Sequence, residues 1–204
     1  MRNIMIFGDY ASPKFHPFAG ADAALRAALS PLGEVSLSEH PESFPAEALG
    51  AFDLIVLYQD NWSDKVGTWP WIVGNLLRYV LAGGRLLAAH YPAVCETDEL
   101  ARMVGARFRM HPPCGPLTLV PAEGSALSFE PVALTDEAYH FSFDRLGTPE
   151  FLAEYRAGGV SLPAAWRKPY GLGRVGYFAP GHTAASFDAA RPALTGLARL
   201  LLDN

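Results

Sequence analysis

The chain has 204 residues, half of them apolar and 18% charged, with a formal net charge of −5. That length supports one substantial hydrophobic core and is short for two, so a single domain over 1–204 is expected. The Lys and Arg residues are scattered rather than clustered, which leaves no basic stripe for a phosphate backbone and removes nucleic acid from the expected partners.

The first ten residues hold too short an apolar run for a signal peptide, and no later segment approaches the length of a membrane span. A cytoplasmic protein with no membrane partner is therefore expected. Cys95 and Cys114 are the two cysteines. They have neither zinc-knuckle spacing nor disulfide-scaffold density, and both read as reduced.

Asn3-Ile4-Met5-Ile6-Phe7 reads as a buried strand, after which Gly8-Asp9-Tyr10 turns toward a loop holding His16-Pro17-Phe18. Alanine and leucine at helical spacing over 19–32, closed by Gly33, predict the first crossover helix. A short strand is expected over 34–38, and at most a brief helix in the proline-punctuated stretch 40–49. A third strand over 52–58 runs into the polar, aromatic loop Gln59-Asp60-Asn61-Trp62-Ser63-Asp64. A helix over 69–81 then feeds the Gly83-Gly84 turn and the run Arg85-Leu86-Leu87-Ala88-Ala89-His90-Tyr91-Pro92. An apolar run bounded by a glycine pair and a proline is the pattern of a strand buried on both faces in the middle of a parallel sheet. His90 stands at its carboxyl end, and a helix over 96–104 follows, closed by Gly105.

This alternation implies right-handed crossovers and helices on both faces of the sheet. The expected class is α/β, three-layer and flavodoxin-like in outline, with a mostly parallel sheet. Beyond residue 105 the alternation breaks down. Residues 117–120 and 131–134 read as edge or antiparallel strands, and Asp136-Glu137-Ala138-Tyr139-His140 reads as a loop dense in ionisable groups. Residues 151–156 are strand-like, and Trp166 to Gly173 leads into a last inner strand over 174–178. Pro180-Gly181-His182 ends that strand, and an amphipathic helix over 189–202 closes the chain.

Ligands of open α/β sheets collect beyond the carboxyl ends of the strands. That rule gathers Asp9, His16, Gln59, Asp60, His90, Asp136, Glu137, Tyr139, His140 and His182 near one edge. His90 and His182, with a carboxylate from Asp136-Glu137, have the composition of a site for a divalent ion such as zinc or manganese. The same groups would serve as an acid/base pair acting on sugar hydroxyls. His-x-x-x-His and Cys-x-x-Cys elements are absent, so a metal site has to be assembled by the fold from distant segments. The expected catalytic set is His90, His182, Asp136, Glu137 and Tyr139, with His90, His182 and Glu137 as metal candidates. Asp9, Gln59, Asp60, Trp62, Tyr91, His140 and Arg167 are expected to bind the ligand, Trp62 by stacking on a sugar face. Each also has a structural reading: a core histidine donating to a carbonyl, a packed tyrosine, an arginine paired with a surface carboxylate. His40 and His111 read as surface residues.

Three motifs carry a family resemblance: the glycine pair, apolar strand and histidine of Gly83 to His90; Asp136-Glu137-x-Tyr139; and Trp166-Arg167-x-x-Tyr170-Gly171-x-Gly173-Arg174-Val175-x-Tyr177, leading to Gly181-His182. Their order and separation resemble the trehalose-utilisation, or ThuA-like, family, whose fold is related to class I glutamine amidotransferases. The resemblance implies that fold, with antiparallel additions in the C-terminal half, and a small carbohydrate ligand such as a disaccharide or an oxidised sugar. A homo-oligomer is compatible with it. The chain departs from the family in having no histidine in Ser128-Phe129-Glu130-Pro131-Val132, and in carrying Gln59-Asp60-Asn61-Trp62 where the family has a histidine-rich loop.

Amidotransferase chemistry needs a thiolate at the sharp turn after the central strand. This chain has His90 there, with Cys95 the nearest sulfur, so glutamine hydrolysis is not expected. Two readings follow: a sugar-processing enzyme, and a non-catalytic metabolite-binding or interaction module on an amidotransferase-like fold.

Overall fold

Short runs rich in Ile, Leu, Val and Ala become inner strands where both faces of a sheet are covered, because every side chain of the run is then buried. The computed structural model, which describes residues 1–11, 13, 15–60, 69–91, 97–144, 147 and 149–203, follows that rule. Trp62 and Cys95 lie outside the described residues. The strands are β1 (Asn3–Phe7), β2 (Glu34–Ser38), β3 (Leu54–Leu57), β4 (Arg85–Ala89), β5 (Ala106–Met110), β6 (Gly115–Pro121), β7 (Val132–Asp136), β8 (His140–Phe143), β9 (Glu150–Ala157), β10 (Val160–Tyr170) and β11 (Gly173–Phe178). The helices are α1 (Phe18–Leu29), α2 (Ala46–Leu49), α3 (Trp69–Leu81), α4 (Asp98–Val104), α5 (Ala184–Ala189) and α6 (Arg191–Leu202).

One nine-stranded sheet runs β2-β1-β3-β4-β11-β10-β9-β6-β7, and β5 pairs with β8 in a separate two-stranded sheet. The pairings β2·β1, β1·β3, β3·β4 and β4·β11 are parallel. Those from β11 through β10, β9 and β6 to β7 are antiparallel. The fold is thus α/β with a mixed sheet, and its antiparallel additions in the C-terminal half are as wide as the parallel core. Both α3 and α6 pack on β4 and β11. Helix α6 is joined by α1 and α5, and α3 by α2 and α4. All of β3, and β4 from Leu86 onward, is buried.

The strands expected over 3–7 and 34–38 and the helix expected over 69–81 are found at those bounds. The closing helix expected over 189–202 is found as α6, starting at Arg191, and a further short helix, α5, precedes it. Pro192, which has no amide hydrogen, sits in the first turn of α6, where none is needed. Asp136 and His140, expected in one loop, instead close β7 and open β8. Among the described residues, no helix is long and apolar enough to cross a membrane.

Strand β11 begins at Gly173, and its seating beside β4 depends on that residue. A Cβ there would lie 2.2 Å from the carbonyl oxygens of both Gly84 and Val80. The main chain of a turn cannot swing aside as a side-chain tip can. The close approach lets the Arg174 N–H donate to Gly84 O at 3.2 Å and brings β11 into register with β4. Gly173→Ala is expected to lower stability by about 2–3 kcal/mol through overpacking, measured by urea unfolding. A loss below about 0.5 kcal/mol, the range of a neutral surface change, would contradict this reading.

Candidate metal centre

His90 follows β4 with φ at +55°, and it is the one described non-glycine residue in the left-handed region. That conformation costs an L-residue about 1–2 kcal/mol, so something must hold it. The end of β11 does. The His90 N–H donates to Phe178 O at 2.7 Å, its carbonyl accepts from the Tyr177 hydroxyl at 2.8 Å, and its ring Nδ1 lies 2.7 Å from Ala179 O. A carbonyl only accepts, so Nδ1 carries the hydrogen and Nε2 presents its lone pair.

His16 reaches the same point from the loop before α1. The backbone N–H groups of Phe15 and His16 both donate to Asp60 Oδ2, at 2.7 and 2.6 Å, and the His16 Nδ1 lies 3.2 Å from that oxygen. A carboxylate beside Nδ1 favours the tautomer with its hydrogen there, which turns the Nε2 lone pair toward His90. Behind this pair, the Asp60 N–H donates to Asp9 Oδ2 at 2.8 Å, and Gln59 Nε2 donates to Asp9 Oδ1 at 2.7 Å. The two Nε2 atoms are 3.1 Å apart. A hydrogen on His16 Nε2 would bridge them; with the hydrogen on Nδ1 instead, the His16 Nε2 lone pair is open to a bound cation, as is that of His90 once the Tyr139 hydroxyl 3.0 Å away gives way. Burial lowers the His16 pKa and the neighbouring His90 and His182 add to that, while Asp60 opposes it.

Glu137 and His182 complete the cluster, and Asp136 positions both. Its Oδ1 accepts the Glu137 N–H at 2.7 Å and its Oδ2 accepts the Gly181 N–H at 2.8 Å, while the Tyr58 hydroxyl donates to Gly181 O at 3.0 Å. Glu137 Oε2 then lies 3.5 Å from His90 Nε2 and 3.4 Å from His182 Nδ1. The His182 Nδ1 is shielded from solvent and makes no hydrogen bond. Burial pushes the Glu137 carboxyl up, but its interactions with His90, His182 and Tyr139 outweigh that and hold it at about 2. The Tyr139 hydroxyl is 3.0 Å from His90 Nε2 and its ring is stacked on His90. Burial raises the Tyr139 pKa, and the nearby Tyr177 and Glu137 raise it further, so it stays a neutral phenol.

The donor atoms of His16, His90, Glu137 and His182 all lie within 4.8 Å of one another. A tetrahedral zinc ion with bonds of about 2.0–2.1 Å would separate neighbouring donors by roughly 3.3 Å. Three of the six separations, 3.1, 3.4 and 3.5 Å, bracket that value, and the others are no more than 4.8 Å. Above the cluster opens a cleft of about 510 Å³, walled by Phe15, Tyr91, Phe108, Tyr139 and His111.

The fold therefore brings together the three expected metal candidates, His90, His182 and Glu137, with Tyr139 beside them and Tyr91 in the wall. It adds His16, which the sequence places at this edge without singling it out. His111, expected on the surface, is exposed, and it also borders the cleft with Nδ1 3.5 Å from Glu137 Oε1. Its placement depends on the pairing of β5 with β8, which no local pattern announces.

Other expectations are corrected. Each Asp136 oxygen accepts a main-chain N–H, which places it behind the cluster as a support for Glu137 and Gly181. Asp9, Gln59 and Asp60 form a buried layer behind His16 and do not line the cleft. His140 sits in β8 opposite Met110, away from the cleft wall. Arg167 pairs with Glu150 at 2.7 Å and reaches Leu200 O of α6 at 3.5 Å, so it is held elsewhere.

The described residues thus place three histidines and a carboxylate together, largely buried, beyond the carboxyl ends of the parallel strands of an α/β fold. The chain belongs to the ThuA family, described as trehalose utilisation, whose profile matches residues 11–194. A ThuA-like protein of Bacteroides uniformis is similar in structure, with a TM-score of 0.78 at 13% identity over 98% of this chain and 91% of that one. A ThuA-like protein of Parabacteroides merdae gives 0.75 at 15% identity over 100% and 90%. A β-galactosidase from Rahnella sp. R3 gives 0.70 at 16% identity over 98% of this chain, which spans only 31% of that enzyme. At these identities the likenesses establish the fold. No curated protein sequence matches the chain.

Two outcomes are expected from this geometry. His90→Gly should be more stable than His90→Ala by about 1 kcal/mol in denaturant unfolding, because glycine adopts the left-handed φ without a Cβ penalty; equal stabilities would show that the backbone there is not strained. In the metal-free protein, burial holds the folded His16 pKa below the ordinary histidine value of 6.5, so as pH falls below that value the unfolded chain takes up the proton first and stability drops. Glu137, depressed from 4.5 to about 2, adds a second loss below 4.5. His16→Gln should flatten the decline between pH 7 and pH 5 in thermal melts, and an unchanged slope would contradict the assignment.

Proposed function

We propose that the protein holds one divalent ion through His16 Nε2, His90 Nε2, His182 Nδ1 and Glu137, and acts on a small carbohydrate seated in the cleft above it. The observation that carries this reading is the set of four ligand atoms, one each from His16, His90, His182 and Glu137, all within 4.8 Å of one another at a largely buried point. Ala179 O accepts from one ring and the Asp60 carboxylate lies 3.2 Å from the other, where the outer partners of metal ligands stand. Zinc suits three imidazoles and one carboxylate, and manganese is the alternative with more oxygen ligands.

The substrate class is supported by membership of a trehalose-utilisation family and by the cleft itself. Its walls carry the rings of Phe15, Tyr91 and Phe108, which can pack against the apolar face of a sugar, and its floor is polar. The bound ion would supply Lewis acidity toward a sugar oxygen. Tyr139, which gives up His90 Nε2 as an acceptor when that nitrogen binds the ion, is left free to donate its O–H to a ligand oxygen. Glu137 Oε1 and His111 form a polar pair beside it, and the aromatic walls limit access of water.

Zinc titration followed by calorimetry is expected to find one ion per chain, with affinity reduced roughly 100-fold or more in His182→Ala and in Glu137→Ala. The loaded protein should then bind members of a panel of mono- and disaccharides, and a chelator should abolish that binding. Turnover of a bound sugar would support the enzyme, and binding without turnover would favour the metabolite-binding module. A wild-type protein that takes up neither zinc nor manganese contradicts the metal centre.

A further inference from the structure

We infer that Tyr177 is a positioning residue for His90, setting the direction of the His90 ring through its backbone while lying outside the cleft. The affinity arm of the test below rests on the metal centre proposed above; the spectroscopic arm does not.

The strained turn after β4 is held by three consecutive residues of the neighbouring strand end. Phe178 O takes the His90 N–H and Ala179 O takes the ring Nδ1–H, but both are main-chain carbonyls that any residue would present. Tyr177 alone contributes a side chain, and its hydroxyl holds the His90 carbonyl at 2.8 Å. The parallel register sets Tyr177 beside Ala88 and Phe178 beside Ala89, so the phenol comes from one residue back along β11 to reach past the end of β4. Its own freedom is small. Tyr177 is fully buried, its ring 4.2 Å from that of Trp166 and 5.3 Å from that of Phe141.

A carbonyl pinned on one side and an N–H pinned on the other fix the peptide planes flanking His90, and with them the φ of +55° that aims Nε2 at His16. Removing the hydroxyl frees the carbonyl plane, and the ring's bond to Ala179 loosens as the backbone moves. The turn can then relax toward negative φ, which swings the Cα–Cβ bond and carries Nε2 away from the other donors. Tyr177 does not line the cleft, so any effect on the site has to pass through His90.

Tyr177→Phe keeps the ring between Trp166 and Phe141 and removes only the hydroxyl. Imidazole ¹⁵N NMR of the metal-free wild type is expected to show His90 as a single Nδ1–H tautomer, and Tyr177→Phe to show averaged tautomers while the remaining resonances hold. An unchanged His90 signal overturns the proposal whether or not the protein binds metal. In zinc titration, Tyr177→Phe is expected to lose about tenfold in affinity in the wild-type background and nothing further in His90→Ala, where the residue it positions is gone. An equal loss in both backgrounds would mean a general structural effect and would overturn it as well. A wild type that binds no metal refutes the centre, and the NMR comparison then decides Tyr177 alone.

Discussion

The site depends on the convergence of four ligand-type side chains, His16, His90, His182 and Glu137, at one largely buried point, with the Nε2 atoms of His16 and His90 3.1 Å apart. The Asp60 carboxylate orients His16, and the carbonyl of Ala179 orients His90. These outer groups stand on elements distant in sequence, one in the loop after β3 and the other at the end of β11. The cluster is therefore a property of the assembled sheet. The His90 ring is held by its bond to Ala179 O, and His16 by the backbone N–H it gives to Asp60, whose carboxylate lies 3.2 Å from its Nδ1.

The sheet is arranged to make such a meeting point. Parallel strands deliver their carboxyl ends to one edge, which brings the residues after β1, β3, β4 and β11 together. The antiparallel extension contributes in a different way. Strand β7 runs so that its own last residue, Asp136, arrives beside Gly181, and one carboxylate there orders both Glu137 and the turn leading to His182. The small β5·β8 sheet supplies Phe108 and places His111, and so walls the cleft. Its attachment is aromatic: Phe141 and Phe143 each stand edge-on to Trp166 at 5.1 Å.

Much of the parallel core is legible from local pattern. Strands such as Leu54–Leu57 are uniformly apolar, and α3 is amphipathic and closed by a glycine pair, so period and punctuation suffice. The β5·β8 sheet is not legible in that way. Ala106–Met110 interleaves two arginines with apolar residues, and His140–Phe143 is four residues long. Each becomes a strand because of what it packs against. His90, His182 and Glu137 stand out because they follow a strand or sit in a loop dense in ionisable groups. His16 carries a weaker signal, a lone histidine before a proline, and its role emerges only when Asp60 is seen behind it. Asp136 shows the converse: its position is legible, but whether its oxygens face a ligand or the backbone is decided by the path of the chain around Gly181.

X-ray absorption at the zinc edge of the loaded protein tests the central claim most directly. The account predicts a first shell of nitrogen and oxygen only, at about 2.0–2.1 Å, with outer scattering from about three imidazole rings. A shell containing sulfur at about 2.3 Å, or one of oxygens without imidazole scattering, would contradict it.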